Sequence, residues 1–156
     1  MQIAIIGAGN VGGALGKAWA RAGHAITYGV PDPSDEKHRA TAEAAGGAGL
    51  FSVGQAVQRA DAIVLAVPFD AVAGVLAAAG DLSGQLVIDL TNPLRLGAAG
   101  LELSLGFDRS AAEHVASLVP TADRGRDAHC WAPPAQIRTS SIRASGSYLG
   151  CLTAKR

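Results

Sequence analysis

The hydrophobic positions of this chain come in short runs separated by glycines, prolines and helix-forming segments. Gln2 to Ile6, Ala62 to Val67 and Leu86 to Leu90 are almost continuously apolar. Such runs are typical of strands that are buried on both faces of a parallel sheet. Two weaker β-prone runs, Ala25 to Tyr28 and Leu50 to Val53, bring the number of predicted strands to five.

Helix-forming segments lie between and after these strands. We predict helices over residues 11–22, 36–45, 54–60, 70–79 and 110–119. Gly23 has the position of a helix-ending glycine, and Asp70 that of a capping residue. Ser110 with Glu113 three residues later predicts a capping box. The alternation of strands and helices predicts an α/β fold with a doubly wound parallel sheet.

Composition narrows the class of protein. The 156 residues fit one domain, and 49% hydrophobic against 17% charged residues is too apolar for a disordered chain. Thirteen basic and thirteen acidic residues give no basic excess, which argues against a nucleic-acid partner. We see neither a membrane span nor a signal peptide, so we expect a cytoplasmic protein that acts on a small molecule. The sequence is compatible with a monomer and with a homo-oligomer.

Cysteine and histidine positions give no metal signature. Cys130 and Cys151 are too few for a disulfide framework or a metal set, so no metal site is predicted.

The strongest chemical signal is a glycine motif directly after the first predicted strand. Gly7 to Gly12 reads G-x-G-x-x-G and opens the first helix. In this context Gly7 allows a tight turn, Gly9 lets a pyrophosphate approach the backbone, and Gly12 lets the helix pack against the sheet. The helix N-terminus then offers free N–H groups to the phosphates. The motif predicts a Rossmann-type dinucleotide site.

The end of the second strand bears on the choice between NAD and NADP. An acid there would accept a hydrogen bond from the ribose 2′-hydroxyl of NAD, whereas an arginine would hold the 2′-phosphate of NADP. Asp32 lies near the position of such an acid. It is equally compatible with an ordinary turn aspartate between two prolines.

Four motifs together resemble a known family. The glycine loop, Gly29 to Pro33, Ala66 to Pro68 and Asp89 to Pro93 occur in the order found in the coenzyme F420-dependent NADP oxidoreductases. The similarity covers about residues 1–120, and a looser one extends to pyrroline-5-carboxylate reductases. It implies a Rossmann domain and hydride transfer between NADP(H) and coenzyme F420 or a similar small acceptor.

The resemblance also implies where the cofactor would bind. It matches the loop to the pyrophosphate, the residues after strand two to the 2′-phosphate, and the turns after strands four and five to the nicotinamide side. Together with the motif, the predicted cofactor site is Gly7, Ala8, Gly9, Asn10, Val11, Gly12, Val30, Pro31, Asp32, Val67, Pro68 and Asn92. No catalytic residue is predicted, because hydride transfer depends on positioning more than on an acid or base. Asp89 is expected to cap the turn that follows it.

One departure from the family concerns the 2′-phosphate. Pro31 stands where the family has an arginine, so NAD is an alternative to NADP. Lys37 or Arg39 could supply the missing charge, or both could simply be solvated helix residues.

The second departure is the end of the chain. Residues 121–156 contain six basic and two acidic residues, and neither helix nor strand periodicity can be traced there. We expect a Rossmann domain over 1–120 that lacks the sixth strand, and an irregular basic tail over 121–156. We hypothesise a frameshift near codon 120. Two functions are alternatives to hydride transfer with coenzyme F420. One is a truncated dinucleotide-binding module without turnover, and the other is a different small NAD(P) dehydrogenase.

Overall fold

A computed structural model describes residues 1–97, 100–105 and 110–119. The predicted tail over 121–156, with its hypothesised frameshift, lies outside the described residues.

Five parallel strands form the central sheet in the order β3-β2-β1-β4-β5. They are β1 Gln2–Ile6, β2 Ala25–Gly29, β3 Gly49–Phe51, β4 Ala62–Leu65 and β5 Leu86–Asp89. The predicted doubly wound α/β fold of the Rossmann type is therefore confirmed. Among the described residues β5 pairs only with β4, and no sixth strand is added to this sheet.

Five α-helices connect or follow the strands. They are α1 Asn10–Arg21, α2 Arg39–Ala44, α3 Val53–Val57, α4 Val72–Ala79 and α5 Ala111–Leu118, with short 3-10 turns at Glu36–His38 and Phe69–Ala71. The predicted capping box at α5 is confirmed, because the Ser110 side chain accepts from the backbone N–H of Glu113. The predicted cap at Asp70 is wrong. The chain tightens into a 3-10 turn directly after Pro68, so Asp70 lies inside that turn instead of preceding it.

The alternation of side chains along β1 divides the core between the two faces of the sheet. Ile3 and Ile5 point to the face that packs against α1 and α2. Ala4 and Ile6 point to the opposite face, which packs against α3, α4 and α5. Burial on both faces explains why the sequence of this strand is continuously apolar.

A two-stranded antiparallel hairpin follows β5 and was not predicted. It consists of β6 Leu94–Gly97 and β7 Gly100–Leu103 and is separate from the central sheet. Arg95 and Glu102 pair across it at 3.4 Å. Within the described ranges, no helix is long and apolar enough to cross a membrane.

Candidate dinucleotide-binding site

The predicted site residues lie at the carboxyl edge of the parallel sheet. The chain runs from β1 outward to β2 and β3, then returns to the other side of β1 to form β4 and β5. The strand order therefore reverses between β1 and β4. In open α/β sheets, ligands bind in the crevice outside the carboxyl ends of the strands at such a reversal.

Gly7 and Gly12 bring the turn after β1 close to its neighbours. Gly7 has a φ of +105°, and a Cβ there would collide with the carbonyl oxygen of Ala66 beyond the end of β4. A Cβ at Gly12 would collide with the carbonyl oxygen of Gly7. Both glycines are therefore required by backbone packing.

Gly9 differs from these two glycines. Its φ of −79° suits any residue, and among the described residues no atom outside its immediate chain neighbourhood lies within 4 Å of an added Cβ. Packing in the described structure therefore does not require glycine at this position. The open space in front of Gly9 is what the approach of a pyrophosphate would need.

The N-terminus of α1 opens onto the same space. Gly9 provides no side-chain cap, and the first turn contains no acidic residue. The N–H of Gly13 donates to the Gly9 carbonyl at 2.7 Å, which closes the first turn of the helix. The exposed residues Asn10 and Val11 lie within that turn, whereas Ala8 is buried. The free N–H groups of a helix start attract anions through their partial positive charge.

The segment after β2 lies beside this loop. The N–H of Gly7 donates to the carbonyl of Gly29 at 2.9 Å, which joins the ends of β1 and β2. Val30 is only 1% exposed, so its side chain belongs to the core. Pro31 and Asp32 are exposed.

Asp32 serves its own turn. Its Oδ1 accepts hydrogen bonds from the backbone N–H of Ser34 at 2.9 Å and from the Ser34 hydroxyl at 2.6 Å. These two bonds hold the pKa of Asp32 below its ordinary value, so the carboxylate is charged at neutral pH. The interpretation as a turn aspartate is therefore supported. Both hydrogen bonds end on Oδ1, so neither of them uses Oδ2.

Both cations considered for the 2′-phosphate lie in surface ion pairs. Lys37 pairs with Asp35, and Arg39 pairs with Glu36 at 2.8 Å. Both cations are more than 60% exposed to solvent, and ion pairs of such exposed side chains are weak.

The residues predicted on the nicotinamide side follow two different strands: Val67 and Pro68 come after β4, and Asn92 comes after β5. Val67 lies against the phosphate loop, since its Cγ1 is 3.0 Å from a Cβ built at Gly7. Pro68 is exposed and starts the turn that leads to α4. Asn92 follows β5 and is also exposed, and its carbonyl accepts from the N–H of Leu94 at 2.7 Å. Because β4 lies between β1 and β5, Asn92 is separated from the loop by the end of β4.

Two residues that contact the loop were not predicted by the sequence analysis. The hydroxyl of Thr41 on α2 donates to the carbonyl of Ala8 at 3.3 Å. The hydroxyl of Tyr28 on β2 donates to the carbonyl of Gly12 at 3.4 Å. Both contacts join residues that are distant in the chain, and no local pattern announces them.

Asp89 caps the turn after β5, as predicted. Its Oδ1 accepts from the backbone N–H of Thr91 at 2.9 Å. In the part of the chain that the structure describes, no group of three or more His, Cys, Asp or Glu side chains could hold a metal ion.

Comparison with solved structures supports the same fold. A protein assigned as an F420-dependent NADP reductase from Arthrobacter sp. FB24 superposes with a TM-score of 0.72 at 26% identity, over 78% of this chain and 59% of that one. A hypothetical protein from Sinorhizobium meliloti gives a TM-score of 0.67 at 31% identity, over 78% and 58%. An imine reductase from Streptomyces aurantiacus gives 0.54 at 25% identity, over 78% and 39%.

The chain spans about three fifths of the length of the first two of these proteins. No curated protein matches the chain in sequence. The sequence profile of one family, described as NADP oxidoreductase coenzyme F420-dependent, matches residues 2–93, which is more than half of the chain. The protein therefore belongs to the family of coenzyme F420-dependent NADP oxidoreductases.

Proposed function

We propose that this chain binds a nicotinamide dinucleotide and takes part in hydride transfer between that cofactor and coenzyme F420 or a similar small acceptor. The observation that carries the proposal is the open phosphate loop. No described residue beyond its chain neighbours fills the space in front of Gly9, which lies at the uncapped start of α1 where the strand order reverses. Membership of the family adds the type of reaction.

The residues fit a dinucleotide at each part of the crevice. The N–H groups at the start of α1 would hold the pyrophosphate, and the exposed segment at Pro31 and Asp32 would meet the adenosine ribose. Val67 and Pro68 would border the nicotinamide side. When bound, the dinucleotide supplies or accepts the hydride. The protein contributes position, because Gly7 lies so close to the backbone of Ala66 that a Cβ there would collide with it.

A bare binding module without turnover is the second candidate. It is favoured because the features described above, the open loop at Gly9 and the uncapped start of α1, concern the dinucleotide and not an acceptor. A different small NAD(P) reductase is the third, and the similarity to the Streptomyces aurantiacus imine reductase favours it.

Two measurements on the full chain separate these candidates. Titration of NADPH and NADH, followed by their fluorescence, measures binding. Loss of the F420 absorbance in the presence of either reduced dinucleotide measures turnover. Binding with turnover supports the F420 reaction, and binding without it supports the module or another acceptor. Absence of binding for both dinucleotides contradicts the proposed function.

A further inference from the structure

The segment after β2 carries more negative than positive charge. Residues 30–39 contain three carboxylates and two cations. The two cations, Lys37 and Arg39, already pair with the carboxylates of Asp35 and Glu36. Asp32 is the carboxylate left over. The residue before it is a proline, which contributes neither charge nor an N–H donor.

Asp32 is held in a defined orientation. Both hydrogen bonds from Ser34 end on its Oδ1. In the described part of the chain, its Oδ2 has no hydrogen-bond donor of its own. A fixed acceptor with a free oxygen suits a hydroxyl group, which can donate.

The segment that contains Asp32 is joined to the phosphate loop at both of its ends. The carbonyl of Gly29, three residues before it, accepts from the N–H of Gly7. Beyond it, Thr41 on α2 donates to the carbonyl of Ala8. The segment that contains Asp32 therefore borders the loop where the adenosine ribose of a bound dinucleotide would lie.

Resting on the proposed dinucleotide site, we infer that Asp32 is a specificity-determining residue that makes this chain prefer NAD(H) to NADP(H). A ribose 2′-hydroxyl would donate to the free Oδ2. A 2′-phosphate would bring a second negative group against the carboxylate of Asp32.

The test compares the affinities of the wild-type chain for NADH and NADPH. We expect NADH to bind at least about tenfold more tightly, which corresponds to about 1.4 kcal/mol. Asp32→Asn keeps an oxygen that can accept from Ser34 but removes the charge. We expect it to reduce the preference for NADH by about tenfold.

Asp61→Asn is the matched control. It removes one negative charge at the amino ends of the strands, where Asp61 accepts from the N–H of Gln2. The ratio of the two affinities should therefore remain unchanged. Tighter binding of NADPH by the wild-type chain would overturn the inference and leave the proposed function standing. A ratio that does not respond to Asp32→Asn would also overturn it. Failure to bind either dinucleotide would overturn both.

Discussion

The hydroxyl of Tyr28 on β2 occupies the space that a side chain in place of Gly16 on α1 would need. Tyr28 is completely buried, and its hydroxyl donates to the carbonyl of Gly12 in the same helix. The absence of a side chain at Gly16 thus lets α1 approach the sheet closely. Because α1 carries the phosphate loop at its N-terminus, this contact also positions the candidate site.

Gly16→Ala should therefore destabilise the fold. An added Cβ would overlap the Tyr28 hydroxyl and lie 2.7 Å from its Cζ. Overpacking of this kind costs about 1–3 kcal/mol, which urea unfolding would measure. In the background of Tyr28→Phe the penalty should be smaller, although the close approach to Cζ remains. Equal penalties in the two backgrounds would contradict the predicted contact.

Tyr28 should also make the fold sensitive to alkaline pH. Burial raises the pKa of Tyr28 above its ordinary value of 10.0. The unfolded chain then ionises at a lower pH than the folded one, so this contribution to stability is complete below about pH 10 and is lost as the pH rises further.

Urea unfolding at several pH values above and below about 10 would measure this loss. Tyr28→Phe removes the ionisable group and is the comparison. The unfolding free energy of the wild type, taken relative to that of the variant, should fall at high pH. A difference that stays constant across this range would show that the phenol is equally acidic in both states.

Gly9→Val should abolish dinucleotide binding while leaving the fold intact. The ordinary φ at Gly9 and the space that the described residues leave around it accommodate a side chain, but that side chain would fill the place of the pyrophosphate. Fluorescence titration with NADH and NADPH measures binding, and thermal unfolding measures stability. Gly12→Ala is the contrasting variant, because its Cβ would collide with the backbone and destabilise the protein. Unchanged affinity in Gly9→Val would remove the loop from the site.

The fold was predictable where one local signal decides the structure. The continuous apolar runs predicted the strands, and Gly23 ends α1 with a φ of +88°. The β6–β7 hairpin was missed although it had a signal. Leu94-Arg95-Leu96 and Leu101-Glu102-Leu103 alternate between apolar and charged residues, and Gly97 and Gly100 stand between the two runs. The two strands have only four residues each, and they follow directly after the much more apolar β5.

The candidate site was predictable for the same reason only in part. The roles of Gly7 and Gly12 follow from a motif in its strand-to-helix context. Thr41 and Tyr28 contact that motif from α2 and β2, and such contacts depend on tertiary packing. The environment of Asp32 needed the structure too, because sequence alone cannot show which of its oxygens Ser34 uses.

Pro31→Arg should tighten the binding of NADPH more than that of NADH. An arginine at this exposed position would offer a bidentate partner to a 2′-phosphate. A charge-assisted contact is worth about 1.5–3 kcal/mol, or roughly 10- to 150-fold in the ratio of the two dissociation constants. Pro31→Gln, which is polar and uncharged, is the control. If the ratio did not move with arginine, the alignment of this segment with the family would be out of register.

The outer edge of β5 should make the chain self-associate. Among the described residues β5 pairs on one side only, and its residues before Asp89 are apolar. Exposed apolar strand edges template pairing with other chains, and charged residues, lysine above all, suppress it. We therefore expect association that increases with protein concentration and is weakened by Leu90→Lys, a substitution at an exposed leucine next to the edge. Sedimentation velocity over a range of concentrations measures both effects.

Leu101→Lys is the control, since Leu101 is 74% exposed but lies on the hairpin. If only Leu101→Lys dispersed the protein, the contact would belong to the hairpin, and a chain that stays monomeric at all concentrations would show that the edge is protected.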